Sequence, residues 1–82
     1  MWSEGVIGIP DAKAPERYTA CYYWVKHYDE PSEVYGINGG RISKLMIKVN
    51  GTITANYDRG WDVEPKDEAT RIAYSIILDK YN

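Results

Sequence analysis

Arg41-Ile42-Ser43-Lys44-Leu45-Met46-Ile47-Lys48-Val49-Asn50-Gly51-Thr52-Ile53-Thr54-Ala55-Asn56-Tyr57 alternates apolar and polar residues on either side of an Asn-Gly pair. That is the pattern of a β-hairpin. In the first arm Leu45, Ile47 and Val49 share one face, and Lys44, Met46 and Lys48 take the other. In the second arm Ile53, Ala55 and Tyr57 share a face. A two-residue loop would set Val49 opposite Thr52 and turn the two apolar faces away from each other. The pattern therefore predicts a three-residue loop, a type I turn with Gly51 in a left-handed G1 bulge. Ile47 would then face Ile53, and Leu45 would face Ala55.

Working outward, Trp2–Ile9 reads as a first strand, bent or bulged at Gly5 and Gly8. Pro10 to Pro15 is a turn-rich connection. Arg17–His27 reads as a second strand with apolar residues on both faces: Tyr18, Ala20, Tyr22 and Trp24 on one, Cys21, Tyr23 and Val25 on the other. Such a strand is expected to be central or covered on both sides. Tyr28–Gly40 carries Pro31, Gly36, Gly39 and Gly40 and is expected to be a long loop, a length that usually signals function or disorder. Beyond the hairpin, Glu64-Pro65 leads into a helix over Lys66–Tyr81. Ala69, Ile72, Ala73, Ile76 and Ile77 recur at helical spacing and predict its buried stripe. Asp67 and Glu68 in the first turn and Lys80 in the last complement its dipole. The expected architecture is α+β: an antiparallel sheet of about four strands with one C-terminal helix packed across a face, in a single domain spanning 1–82 that assembles as a homodimer or larger.

Composition narrows the function. A chain of 82 residues has one thin core. The net charge is −2, with basic residues scattered along the chain, so the stripe that neutralises duplex phosphates is missing. No apolar run approaches a membrane span. The first five residues have neither the basic leader nor the apolar stretch of a signal peptide. A single cysteine, Cys21, excludes an internal disulfide and favours a reducing, cytosolic setting. Eight Tyr and three Trp with no Phe mean that every aromatic carries a polar tip, as ligand platforms and interfaces often do. The same tyrosines also suit the lining of a shallow sheet.

Motifs for catalysis are missing. Cys21 and His27 lie on one strand face, but the orienting group and oxyanion hole of a nucleophilic pair are not evident. One His and one Cys do not make a zinc site, and Asp29, Glu30 and Glu33 lack a calcium-loop spacing. No phosphate-loop lysine motif or nucleophile elbow occurs. The reading is a non-enzymatic binder with no cofactor and no metal.

The strongest positive signal is a convergence. Tyr35-Gly36-Ile37-Asn38-Gly39-Gly40-Arg41 enters the hairpin where Tyr57-Asp58-Arg59-Gly60-Trp61-Asp62 leaves it. The expected register sets Arg41 opposite Arg59, and two adjacent guanidinium groups repel unless something anionic neutralises them. Gly39 and Gly40 are placed to offer backbone N–H groups as an anion nest. Tyr35, Tyr57 and Trp61 are expected to stack on a base. The plain alternative is that the arginines pair with Asp58, Asp62 or Glu33 and the glycines only turn the chain.

Trp2-Ser3-Glu4-Gly5, Tyr28-Asp29-Glu30-Pro31-Ser32, Tyr35–Leu45 and Tyr57–Asp62 with Glu64-Pro65 resemble a group of short proteins of no assigned function from phages and mobile elements of Gram-positive bacteria. The resemblance covers nearly the whole chain. It implies a phage-type protein acting in the host cytoplasm. It also suggests similarity to phage anti-defence sponges of the anti-CBASS type, homo-oligomers that capture cyclic di- or trinucleotides and hold them uncleaved. Two other functions stay open at this point. One is inhibition of a host defence protein by direct binding, through the acidic loop Asp29–Glu33. The other is hydrolysis of the same signals, against which the missing motifs speak.

Overall fold

A computed structural model describes residues 1–82. Five antiparallel strands follow one another across a single sheet in chain order: β1 (Trp2–Pro10), β2 (Tyr18–His27), β3 (Ile42–Val49), β4 (Thr52–Asp58) and β5 (Trp61–Val63). One helix, α1 (Glu68–Tyr81), packs on one face against β1, β2 and β3. The α+β architecture matches the sequence expectation, with one strand more. The three residues of β5 had read as part of a turn.

Strand β1 runs unbroken through Gly5 and Gly8. Gly5 lies directly opposite Tyr23, whose ring covers it: a Cβ there would stand 2.7 Å from the Tyr23 hydroxyl oxygen. The glycine accommodates a tyrosine rather than bending a strand.

The hairpin closes differently from its expected form. Val49 does pair with Thr52, and Asn50 and Gly51 adopt φ of 52° and 78°. This is a two-residue loop with both residues left-handed, the primed turn that matches strand twist. The apolar faces are aligned two residues further on. Lys48 pairs with Ile53 but Ile47 pairs with Ala55, so Thr54 is an extra, bulged residue. Past the bulge Leu45 faces Tyr57, and Ile53 is left on the outer face, 39% exposed. The odd residue that the side-chain pattern demanded is inside β4 rather than in the turn.

The core lies between the sheet and α1. Cys21, Val25, Leu45, Ile47, Ala55, Ala73 and Ile77 are buried there, joined by Ile37 from the loop before β3. The helix is rotated from its expected orientation. Thr70, Ala73 and Ile77 are buried, while Ile72 and Ile76 face outward. Tyr74 and Tyr81 occupy the inward stripe because they find ring partners there: Tyr74 meets Trp61 edge-on at 5.4 Å, and Tyr81 donates to or accepts from Tyr23 at 3.0 Å. Thr70 is tolerated inside because its hydroxyl bonds Thr54 and Asp67.

Strand β2 lies inside the sheet, as expected, but is covered on one face only. The opposite face is open, and Tyr18, Tyr22, Trp2 and Val6 are exposed on it.

Candidate functional site: a cationic pocket at the β2–β3–β4 end

A second bulge builds the site. Lys26 pairs with Lys44, but the next residue, His27, pairs with Ile42, so Ser43 is the extra residue. Bulges re-aim side chains, and this one places Ser43 on the wall of a pocket. The pocket holds about 170 Å³ and is lined by Lys26, Tyr28, Ser32, Tyr35, Gly36, Arg41, Ser43, Lys44 and Arg59. Four of those residues are cationic and none is acidic.

The charges are poorly compensated. The one ion pair in the protein joins Lys44 to Asp58 at 3.7 Å, with both side chains substantially exposed. Such pairs contribute little. Neither Arg41 nor Arg59 pairs with Asp58, Asp62 or Glu33, so the plain alternative for the arginines does not describe this arrangement. Lys26 and Lys44 stand directly across the sheet from each other, a like-charge pairing that costs stability.

Ser43 is 7% exposed and its Oγ closes no hydrogen bond, the only buried side-chain polar atom left without a partner. Buried hydroxyls are almost always satisfied. The Tyr28 hydroxyl is held below its ordinary value, with Lys26 as the largest cause; burial works against the shift, and the Ser43 hydroxyl and Arg59 add to it. Tyr28 thus lies close to Ser43, although the two do not meet in hydrogen-bond geometry.

Arg59 is fixed by its backbone. Its φ is 59°, a left-handed conformation that is uncommon for a residue with a side chain. The flanking bonds hold it there: Arg59 N–H donates to the Ser43 carbonyl at 3.1 Å, and Asp58 N–H to the Gly60 carbonyl at 2.9 Å. Residues kept in such conformations cluster at functional sites.

The loop Tyr28–Gly40 is closed at its base by the Ser32 N–H on the Gly40 carbonyl, and Tyr28 N–H donates to the Arg41 carbonyl. Ile37, 1% exposed, anchors its middle in the core. Asn82 holds the loop from behind, accepting from Ile42 N–H at 3.0 Å and donating to the Ile37 carbonyl at 3.1 Å. Gly40 packs so closely on the Asn82 carboxamide that a side chain there would collide with it.

Of the seven sequence-predicted site residues, three come together in this pocket: Tyr35, Arg41 and Arg59. Gly39 and Gly40 do not line it. Their N–H groups donate to the carbonyls of Gly36 and Ile37, so the expected anion nest is not formed. Tyr57 is 8% exposed, and its hydroxyl donates to the Tyr35 carbonyl. Trp61 lies between Tyr57 and Tyr74 on the helix side, with edge contacts to both. Tyr57 is buried and braces the loop, while Trp61, partly buried, lines a separate shallow cavity with Glu64, Pro65, Arg71 and Tyr74 and does not reach this pocket. Sequence reasoning missed Lys26, Ser43 and Lys44. The signal that would have found them is the β2–β3 register, which sets the two lysines side by side.

Cys21 and His27 are not a pair. Cys21 is fully buried with its Sγ 3.9 Å from the Ala69 carbonyl, and burial pushes its thiol up, with Asp67 adding to the rise. His27 instead meets the Ser3 hydroxyl at 2.9 Å and the Tyr81 ring. No group of three metal-ligating side chains is present, and no helix is long and apolar enough to cross a membrane.

Fold and site together define a small α+β meander domain with a cationic pocket at one end of its sheet. The chain belongs to the family described as Domain of unknown function (DUF7678), whose profile matches residues 1–82. No curated protein and no solved structure matches it.

Proposed function

We propose that this protein binds a phosphate-bearing nucleotide and sequesters it without cleaving it, with the anion held in the pocket between the loop and the β2–β3–β4 end. The observation that carries this reading is the pairing of uncompensated cations with an orphaned buried hydroxyl. Lys26, Arg41 and Arg59 have no carboxylate partner, and Ser43 Oγ has no hydrogen-bond partner. An anion with several acceptor oxygens would neutralise the first three and accept from the fourth. Arginine's planar fork suits phosphate in particular.

The pocket, at about 170 Å³, is smaller than the several hundred Å³ of a typical whole-ligand site. It fits one phosphate group rather than an entire cyclic nucleotide. The narrower assignment, a cyclic-oligonucleotide signal of bacterial defence, draws on the resemblance to phage proteins and not on the geometry.

The test is a thermal-shift screen against cyclic di- and trinucleotides, with hits repeated by calorimetry. A ligand at 100 times its dissociation constant adds about 2.7 kcal/mol. The ligand should be recovered intact after the complex is denatured. A flat screen sinks the reading.

A further inference from the structure

The open face of the sheet has no partner, and next to the cationic pocket it forms a second depression. This trough holds about 490 Å³; Trp2, Trp24, Met46, Lys48 and Asn56 line it, together with Asp58, whose carboxylate is paired with Lys44 at 3.7 Å. Lys44 lines both the trough and the cationic pocket, so the two are neighbours across a single side chain.

The lining is unusual for an exposed sheet surface. Trp2 is 58% exposed and Trp24 half-buried. Lysines lie across the rings: Lys48 Nζ is 5.8 Å from the centre of the Trp24 ring, and Lys26 Nζ 5.9 Å from that of Trp2. Asn56 makes no side-chain hydrogen bond within the protein, and its carboxamide has the donor–acceptor pattern that matches an adenine edge. Indole faces flanked by cations are what a nucleobase and its phosphates stack on. Three lysines, Lys26, Lys44 and Lys48, lie on this part of the face and favour an anionic ligand there.

We infer that the trough is the base-binding half of a bipartite site: the ligand's phosphate sits among Lys26, Arg41, Ser43 and Arg59, and its base stacks at Trp24 and Trp2. This rests on the nucleotide reading above and moves the stacking role from Tyr35, Tyr57 and Trp61 to the rings that line the trough, since Tyr57 is buried, Trp61 lines a different cavity and Tyr35 lies in the anion pocket with Arg59 over its ring. It makes the ligand class a nucleotide rather than any small anion.

AMP and ribose 5-phosphate differ only in the base, and their calorimetric titration against the full chain separates the two halves. Base–aromatic stacking predicts that AMP binds roughly five- to 150-fold more tightly than ribose 5-phosphate. Trp24→Leu should abolish that ratio while leaving ribose 5-phosphate affinity unchanged. Trp2→Ala, at a mostly exposed position, should reduce it without disturbing the fold. Equal binding of the two compounds by the wild type overturns the inference and leaves the anion pocket standing. Failure of both to bind removes the pocket reading and the inference with it. Sedimentation of a dimer that Trp24→Leu dissociates would assign the face to a second copy and overturn the inference.

Discussion

The Arg59 guanidinium carbon lies 4.9 Å from the centre of the Tyr35 ring. The contact joins the two segments that frame the pocket, the loop before β3 and the turn after β4. It holds a cation over an aromatic face without neutralising it. At an exposed site such a contact contributes about 0.5–1 kcal/mol, enough to orient the guanidinium and too little to account for its left-handed backbone.

That backbone gives a clean separation of function from stability. Glycine adopts φ near 59° without the cost of roughly 1–2 kcal/mol that a Cβ incurs there. Arg59→Gly therefore exchanges relieved strain for a lost cation–π contact and should stay within about 1 kcal/mol of wild type. Arg59→Ala keeps the strain and loses the same contact. Both should lose phosphate and nucleotide binding at least tenfold by calorimetry. A glycine variant that binds normally would remove Arg59 from the site.

The hairpin turn gives the second prediction. Gly51 at φ 78° meets no atoms that would obstruct a side chain, so the cost of replacing it is conformational alone. Gly51→Ala should cost about 1–2 kcal/mol. For a domain of this size that lowers the midpoint by about 4–8 °C per kcal/mol. Binding should be unaffected, because the turn is at the opposite end of β3 from the pocket. A variant as stable as wild type would contradict the two-residue turn.

The hairpin also shows what the sequence could and could not disclose. Alternation in Arg41–Tyr57 announced two paired strands and required one extra residue for the apolar faces to agree. It did not say where that residue sits, because a bulge at Thr54 and a longer turn satisfy the same pattern. The helix was equally visible through its periodicity. Its inward face was misjudged because Ile72 and Ile76 are more apolar than Tyr74 and Tyr81, while the tyrosines have ring partners on the sheet and the isoleucines do not. At the site, the expected pairing of Arg41 with Arg59 does not form, because the Thr54 bulge shifts the register by two and sets Arg59 against Ser43; both arginines line the pocket all the same. Lys26, Ser43 and the trough were not legible, since they depend on how β2 meets β3 and on a bulge that no local motif marks. Gly40 announced itself as a glycine, but its reason is Asn82, forty-two positions away and packed against it.

The N-terminus of α1 gives the third prediction. Asp67 accepts from Thr70 N–H at 3.0 Å and from the Thr70 hydroxyl at 2.7 Å. Asp67→Ala should cost about 1 kcal/mol, the usual value of an N-cap. Burial pushes the Asp67 carboxyl up, but hydrogen bonds from Thr70 and the nearby Arg71 outweigh it, and the net shift is below the ordinary value of 3.8. A carboxyl lowered by folding stabilises the native state above its unfolded pKa and loses that contribution as pH falls through its folded one. Urea melts below pH 4 should therefore show wild type losing stability faster than Asp67→Ala. Parallel acid limbs would mean that the cap carries no pH dependence.

The Tyr23–Tyr81 pair predicts the behaviour at the other end of the pH scale. Their hydroxyls are 3.0 Å apart, with the Tyr23 ring over Gly5 and the Tyr81 ring against His27. The Tyr23 hydroxyl is raised from 10.0 to about 12, first by its hydrogen bond to Tyr81 and then by burial. Between those two values the unfolded chain has released a proton that the folded protein still holds. Since the native state then binds more protons, stability falls as pH rises. The raised Cys21 thiol starts the decline as pH passes the ordinary thiol value of 9.0, and Tyr23 steepens it between pH 10 and about 12. Tyr23→Phe has no proton to lose and should make the limb above pH 10 shallower without abolishing it, because burial also raises the Tyr74 hydroxyl; its cost near neutral pH is one hydrogen bond, about 1 kcal/mol. Tyr81→Phe should have a smaller effect than Tyr23→Phe, because burial still raises Tyr23. Denaturant melts of the three proteins from pH 8 to 12 decide the point, and an alkaline limb unchanged in Tyr23→Phe would place the titrating group elsewhere.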